Sequence, residues 1–249
     1  MSLITEAERA LIRNWRSILL YIGLCVLVIG VYRAGVNELE HLVPESVQPK
    51  PAWYASADLF ADIALACVMA LLQACAYARL GRDIDRPLWK CRDDREAITR
   101  FAVIWAILNL SYFALLQMQT TLDHQGQIGG ASAVGLMALL WNLIYVPIGV
   151  CLMHQGGLKD LRLGDALLPL LHFLPRTMLV VGLGFLQLVL FEWLAFSVPE
   201  PMRNLPWIIA AINIPLIYLE CLAVAIMWIS CAEYRIVAAE QTDDDDFDF

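Results

Sequence analysis

Six separate stretches of this chain are apolar over roughly the length that a helix needs to cross a hydrocarbon layer about 30 Å thick. They run roughly Ser17 to Tyr32, Ala57 to Arg79, Phe101 to Met118, Ala131 to Met153, Thr177 to Val198 and Pro206 to Ser230. Inside hydrocarbon each backbone N–H and C=O must find a partner, and a helix meets that demand within a single segment. Composition agrees: 60% of the residues are hydrophobic and 17% charged, against about a quarter charged in an ordinary soluble domain. The expected fold is all-α, a polytopic transmembrane bundle of six spans in one membrane domain over residues 1–232.

Lysine and arginine set the expected orientation, because positively charged flanks stay on the cytoplasmic side. With the amino terminus inside, that side receives Arg9, Arg13, Arg16, Arg79, Arg82, Arg86, Lys90, Arg92, Arg95, Arg100, Lys159, Arg162, Arg176 and Arg235. The other side receives Arg33, Lys50 and Arg203, so 14 of the 17 basic residues fall on one face and both termini are expected in the cytoplasm. The net charge of -8 does not oppose this, since acidic residues contribute little to the rule.

Thr5 to Glu8 reads as a capping box that starts a helix well before the first apolar run, and no A-x-A site follows Tyr32. The first span is therefore expected to be an uncleaved anchor. Cys25, Cys67, Cys75, Cys151, Cys221 and Cys231 lie in or at the ends of spans and Cys91 in a cytoplasmic loop, which places no pair where an exported disulfide would form.

Basic or interfacial stretches, "RALIRNWRS", "CRDDREAITR" and "LLPLLHFLPR", precede the odd spans, a pattern consistent with three helical hairpins. Ala34 to Ser56, with Pro44, Pro49 and Pro51 and then Trp53 and Tyr54, reads as an irregular outer segment anchored by aromatics. Gly81 to Arg100 reads as an inner loop that restarts a helix at an Asp93 to Glu96 capping box. A short apolar segment at about 164–174, broken by Pro169 and Pro175, is too short to span and suits an interfacial helix. Ala66, Ala70, Ala74 and Ala78 form a small-residue stripe that predicts close helix packing for span two. Residues 233–249 end in "TDDDDFDF", which predicts a disordered, acidic cytoplasmic tail.

Polar residues recur near the middle of the later spans: Asn109, Asn142, Gln187 and Glu220 in spans three to six. An acidic side chain at a helix centre costs about 2.5 kcal/mol or more to insert, so these groups are expected to face one another. Asn213, seven residues before Glu220, shares its helical face, and Pro215 between them frees a backbone carbonyl. Two explanations fit: interhelical hydrogen bonds that fix register, or the lining of a hydrated path. Asp58 and Asp62 are expected at the outer interface, and span two is expected to contribute packing rather than chemistry.

Signatures of chemistry are sparse. His41 and His124 fall toward the outside and His154 and His172 toward the inside, without an H-E-x-x-H or a pair on facing spans to clamp iron. His154, Asp160 and His172 are the one cluster that merits a metal hypothesis. There is no phosphate-binding glycine loop and no G-x-S-x-G elbow. The chain is thus expected to be no enzyme, with no cofactor, no metal and no nucleic-acid partner; its partners are membrane lipids and a further membrane protein.

The amphipathic amino terminus, the basic loop after span two, the short segment "MHQGGLKDLRLGDALLPLLHFLPR" and two closing spans together resemble the six-span bacterial inner-membrane proteins of the YciC type. Similar domains occur fused to glycerophosphodiester phosphodiesterases. The resemblance implies a multi-pass protein of the bacterial plasma membrane, with a non-catalytic role supporting a membrane complex or a lipid-related process. The alternative is a small proton-coupled permease in which Glu220 is the protonatable group and Asn109, Asn142, Gln187 and Asn213 line the path.

Overall fold

The computed structural model describes residues 2–43, 51–84, 94–155, 163–199, 202 and 205–245. Among them are eight helices and no strand: α1 Leu3–Arg13, α2 Trp15–Leu42, α3 Ala52–Ile84, α4 Asp94–His124, α5 Ile128–His154, α6 Leu163–His172, α7 Leu174–Ser197 and α8 Pro206–Asp245. Six of these, α2 to α5, α7 and α8, are long and apolar enough to cross a membrane, so the all-helical six-span architecture is the observed one.

Successive spans run in opposite directions. α1 packs on one end of the bundle, where α2, α4 and α7 begin and α3, α5 and α8 finish; α2, α4 and α7 finish, and α3, α5 and α8 begin, at the other end. At the α1 end polar contacts tie helices together. Arg13 Nε lies 2.9 Å from Asp83 Oδ2, Asn14 donates to the same carboxylate at 3.2 Å, and Arg176 pairs with Glu233.

The helices outrun the apolar windows. α2 continues ten residues past Tyr32, because Ala34 to Leu42 contains no proline and includes good helix formers such as Glu38, Leu39 and Glu40. Trp53 and Tyr54, expected in the irregular outer segment, sit in the first turn of α3. Gly81 is also helical rather than the start of a loop. A Cβ at Gly81 would collide with the buried Trp228 ring, so glycine here lets α3 and α8 approach closely.

α1 starts at Ser2, whose Oγ accepts from the Thr5 N–H at 3.3 Å. The cap lies three residues before the expected one because Ser2 already supplies an N-cap oxygen. α6 occupies the place of the expected interfacial helix. α8 extends to Asp245, so the segment after residue 232 is helical instead of disordered as far as that residue. Ala232, Glu233, Arg235 and Ala238 favour helix, and Arg235 is held to α5 by bonds to the His154 carbonyl at 2.6 Å and to its Nδ1 at 3.0 Å. Pro44, Pro49, Cys91, Asp93, Asp160 and the chain's last four residues lie outside the described residues.

The core is concentrated toward the α1 end. Every residue of α8 from Glu220 to Cys231 is buried, surrounded by Trp105, Phe101, Ile104, Tyr77, Leu80 and Met153. The α3 alanine stripe is interior as expected, with Ala66, Ala70, Ala74 and Ala78 at most 3% exposed. Lipid tails are as apolar as leucine, so this packing is favoured by dispersion and close approach more than by exclusion of water.

Candidate functional site

Toward the other end the interior opens. A cleft of about 530 Å³ lies between the spans, bordered by Arg33 and Asp62 near its mouth and by Gln73 and Glu220 at its floor. Eleven residues of α3 separate Asp62 from Gln73, which makes the cleft roughly 16 Å deep at about 1.5 Å rise per residue. Its walls follow helical periodicity: Asp62, Leu65, Met69 and Gln73 share one stripe of α3, and Asn109, Tyr112, Leu116 and Thr120 one stripe of α4.

Glu220 is 8% exposed. Its Oε1 accepts from Tyr77 Oη at 2.7 Å and from Gln73 Nε2 at 3.0 Å. Gln73 in turn accepts at Oε1 from Asn109 Nδ2 at 2.9 Å, and that same amide lies 3.3 Å from the Ala66 carbonyl. Tyr21 of α2 joins through its hydroxyl, 3.1 Å from that of Tyr77. Tyr145 of α5 faces the Glu220 carboxyl from the cleft wall. Helices α2, α3, α4 and α8 thus meet in one connected polar network, and among the described residues no cation pairs with Glu220.

Aromatic rings close the floor against the packed half. Tyr77 stands edge-on to Tyr21 at a centroid distance of 5.6 Å and to Trp105 at 5.2 Å, while Trp105 meets Tyr145 at 5.7 Å. Trp105 spends its indole N–H on Met153 Sδ at 3.1 Å. The cleft is consequently blind: one end reaches the bundle surface, and the other stops on a carboxyl backed by rings.

At the mouth, Asp62 is 7% exposed and accepts from Tyr32 Oη at 2.6 Å and Gln117 Nε2 at 2.7 Å. This corrects the expected interfacial position: Asp62 faces inward because α3 begins ten residues earlier and carries it below the helix end. Arg33 lies one residue after Tyr32 and lines the same opening.

The five sequence-predicted site residues divide into three groups. Asn109 and Glu220 belong to the network through Gln73. Asn142 and Asn213 line the cleft above it, with Asn213 Nδ2 bonded to the Ile209 carbonyl one turn back at 2.8 Å. Gln187 does not reach the cleft; its Nε2 donates to the Leu216 carbonyl at 2.6 Å and joins α7 to α8.

Gln73 and Tyr77 are the residues that sequence reasoning missed, and span two supplies chemistry as well as packing. Their signal is the spacing Asp62, Gln73, Tyr77, eleven and four residues, which puts all three on one helical face beside the alanine stripe. The metal hypothesis finds no support in the placement of its described members. His154 faces Arg235, whereas His172 meets Phe173 and Tyr234 edge-on.

No protein-family model matches the chain, and no curated protein or solved structure proved similar to it.

Proposed function

We propose that this chain is a small proton-coupled permease, with the cleft as the entry path for a polar solute and Glu220 as the group that exchanges the proton. The observation that carries this reading is a carboxyl at the blind end of an accessible cleft, bonded by neutral donors alone. Packing glue requires neither the cavity nor the acid, since a glutamine at the same place would satisfy Gln73 and Tyr77. The titratable groups that face the carboxyl are themselves hydroxyls and thiols: Tyr21 and Cys25 from α2, Tyr77 from α3, Tyr145 from α5 and the adjacent Cys221. Among the described residues, no guanidinium or ammonium stands beside them.

The asymmetry of basic residues supports placing the mouth on the extracytoplasmic side and both termini inside. The YciC-type resemblance supports a bacterial plasma membrane as the setting, and the reading involves no catalytic step, cofactor or metal.

Infrared difference spectroscopy of the reconstituted chain tests the assignment. A pH step is expected to change a protonated-carboxyl band that disappears in Glu220→Gln. In parallel, a cysteine placed at Thr120 or Asn213, in a variant whose exposed Cys67 and Cys75 are replaced by serine, is expected to react with a membrane-impermeant thiol reagent from one side of the vesicle. No Glu220-dependent band, together with cysteines inert from both sides, would overturn the permease.

A second reading draws on α7. Met178, Phe185, Trp193 and Phe196 are 55 to 76% exposed on the outside of the bundle, a broad apolar face suited to a neighbouring span as well as to lipid. It supports the non-catalytic role in a membrane complex or lipid-related process. Co-purification in mild detergent tests that role; recovery of this chain alone counts against it.

A further inference from the structure

The chemistry of the cleft narrows what it can hold. Its floor carries an acid that no cation among the described residues compensates, and its mouth carries a second acid, Asp62. The guanidinium of Arg33 is the basic group among the lining residues. At neutral charge states of the ligand this balance supplies no attraction, and for an anion the floor is repulsive. A cation gains from both carboxyls in a medium where charge interactions are screened far less than in water.

The walls decide which cation. Tyr112, Phe113, Trp141, Tyr145 and Phe191 present aromatic rings to the space, whereas a dehydrated metal ion would need several oxygen ligands around one point. Rings attract a weakly hydrated organic cation through their quadrupoles, and recognition of quaternary ammonium by aromatic cages is their best-known use of this kind. At the floor, Gln73 and Tyr77 both donate to Oε1 of Glu220, and Oε2 receives neither. Asp62 has both oxygens occupied by Tyr32 and Gln117, which suits it to attract a cation toward the opening rather than to bind it there.

We infer that the cleft takes an organic ammonium group, seated among the aromatic walls with Glu220 as its counter-charge. The inference rests on the reading of the cleft as open to solute. Two sources share this chemistry. One is a free organic cation that enters from water. The other is the amine head of an amphiphile arriving from the lipid side. For the second, an apolar groove between α2 and α3 adjoins the cleft, with Tyr32 and Leu65 bordering both.

The test is direct binding to the purified full-length chain in lipid nanodiscs, with choline and its uncharged isostere 3,3-dimethyl-1-butanol as one pair of probes and dodecyltrimethylammonium and dodecanol as the other. The expected result is a preference of about tenfold or more for an ammonium over its neutral partner, equivalent to about 1.4 kcal/mol. Glu220→Gln is expected to remove that preference. Phe191→Leu, which leaves the polar network untouched, is expected to weaken ammonium binding several-fold without affecting the neutral probe; it carries the test if the glutamine variant fails to fold. Preference within the choline pair assigns a free cation, and preference confined to the dodecyl pair assigns an amphiphile.

If neither ammonium outcompetes its neutral partner, the ligand class is overturned. A permease with Glu220-dependent protonation and reactive cleft cysteines would survive that result. Conversely, ammonium binding without any pH-responsive Glu220 band would remove the proton coupling and leave the ligand class standing.

Discussion

The two halves of the bundle use the same six spans in opposite ways. Toward the α1 end, α8 is buried on every side from Cys221 to Cys231 and large apolar side chains fill the space around it. Toward the other end the spans part around a cleft, and what holds them is a set of amide, hydroxyl and carboxyl contacts. The contrast teaches that hydrocarbon permits a division of labour: tight packing in one half maintains the fold, so that the other can leave a cavity and a buried acid in place.

Trp228→Ala should test that division most severely. It removes a ring that is 1% exposed from the filled half, and a loss of about 3–5 kcal/mol is expected by analogy with other large-to-small core changes, read as a lower midpoint of detergent-driven unfolding. A smaller loss there than at any cleft residue would abolish the contrast.

Next comes Glu220→Leu, which deprives Gln73 and Tyr77 of their acceptor. Leaving a buried donor unsatisfied costs about 1–3 kcal/mol. Combining it with Gln73→Leu should recover part of that cost, and a double-mutant cycle on the same unfolding assay measures the coupling. Strict additivity would show that the pair is not linked as drawn. Asn109→Leu, one bond further out, is expected to cost about 0.6 kcal/mol and less than about 2. Smallest is Phe191→Leu on the cleft wall, an apolar exchange expected below about 1.5 kcal/mol; its larger consequence should appear in ligand binding.

How much of this was legible depends on length scale. The six spans followed from apolar windows, and the short helix between spans four and five from Pro169, Pro175 and the length of its apolar run. The polar floor was legible only in part. Ranking residues by depth finds only those near a span's midpoint, and the middle of Ala57 to Arg79 is Val68, which is apolar. The helix in fact runs to Ile84, with Arg79 donating to Ser17 Oγ at 3.3 Å, because an arginine can keep its charge near the interface while its stem lies along apolar surface. Because α3 also begins earlier, at Ala52, its middle stays near Val68, and Gln73 lies five residues beyond it, out of reach of a search by mid-span depth. Gln187 shows the converse: its depth is right, but its azimuth on α7 turns it to a backbone carbonyl.

Pro215 sits inside α8 at the boundary between the two halves. A proline there removes one rung from the helical ladder and makes that level the natural pivot, and one residue on, the Leu216 carbonyl is gripped by Gln187. Any swing of the segment from Pro206 to Ile214 that widened or closed the opening would therefore work against an anchored lower shaft and strain a tether to α7. The side chain that fails to reach the cavity is placed to govern how freely the cavity changes shape.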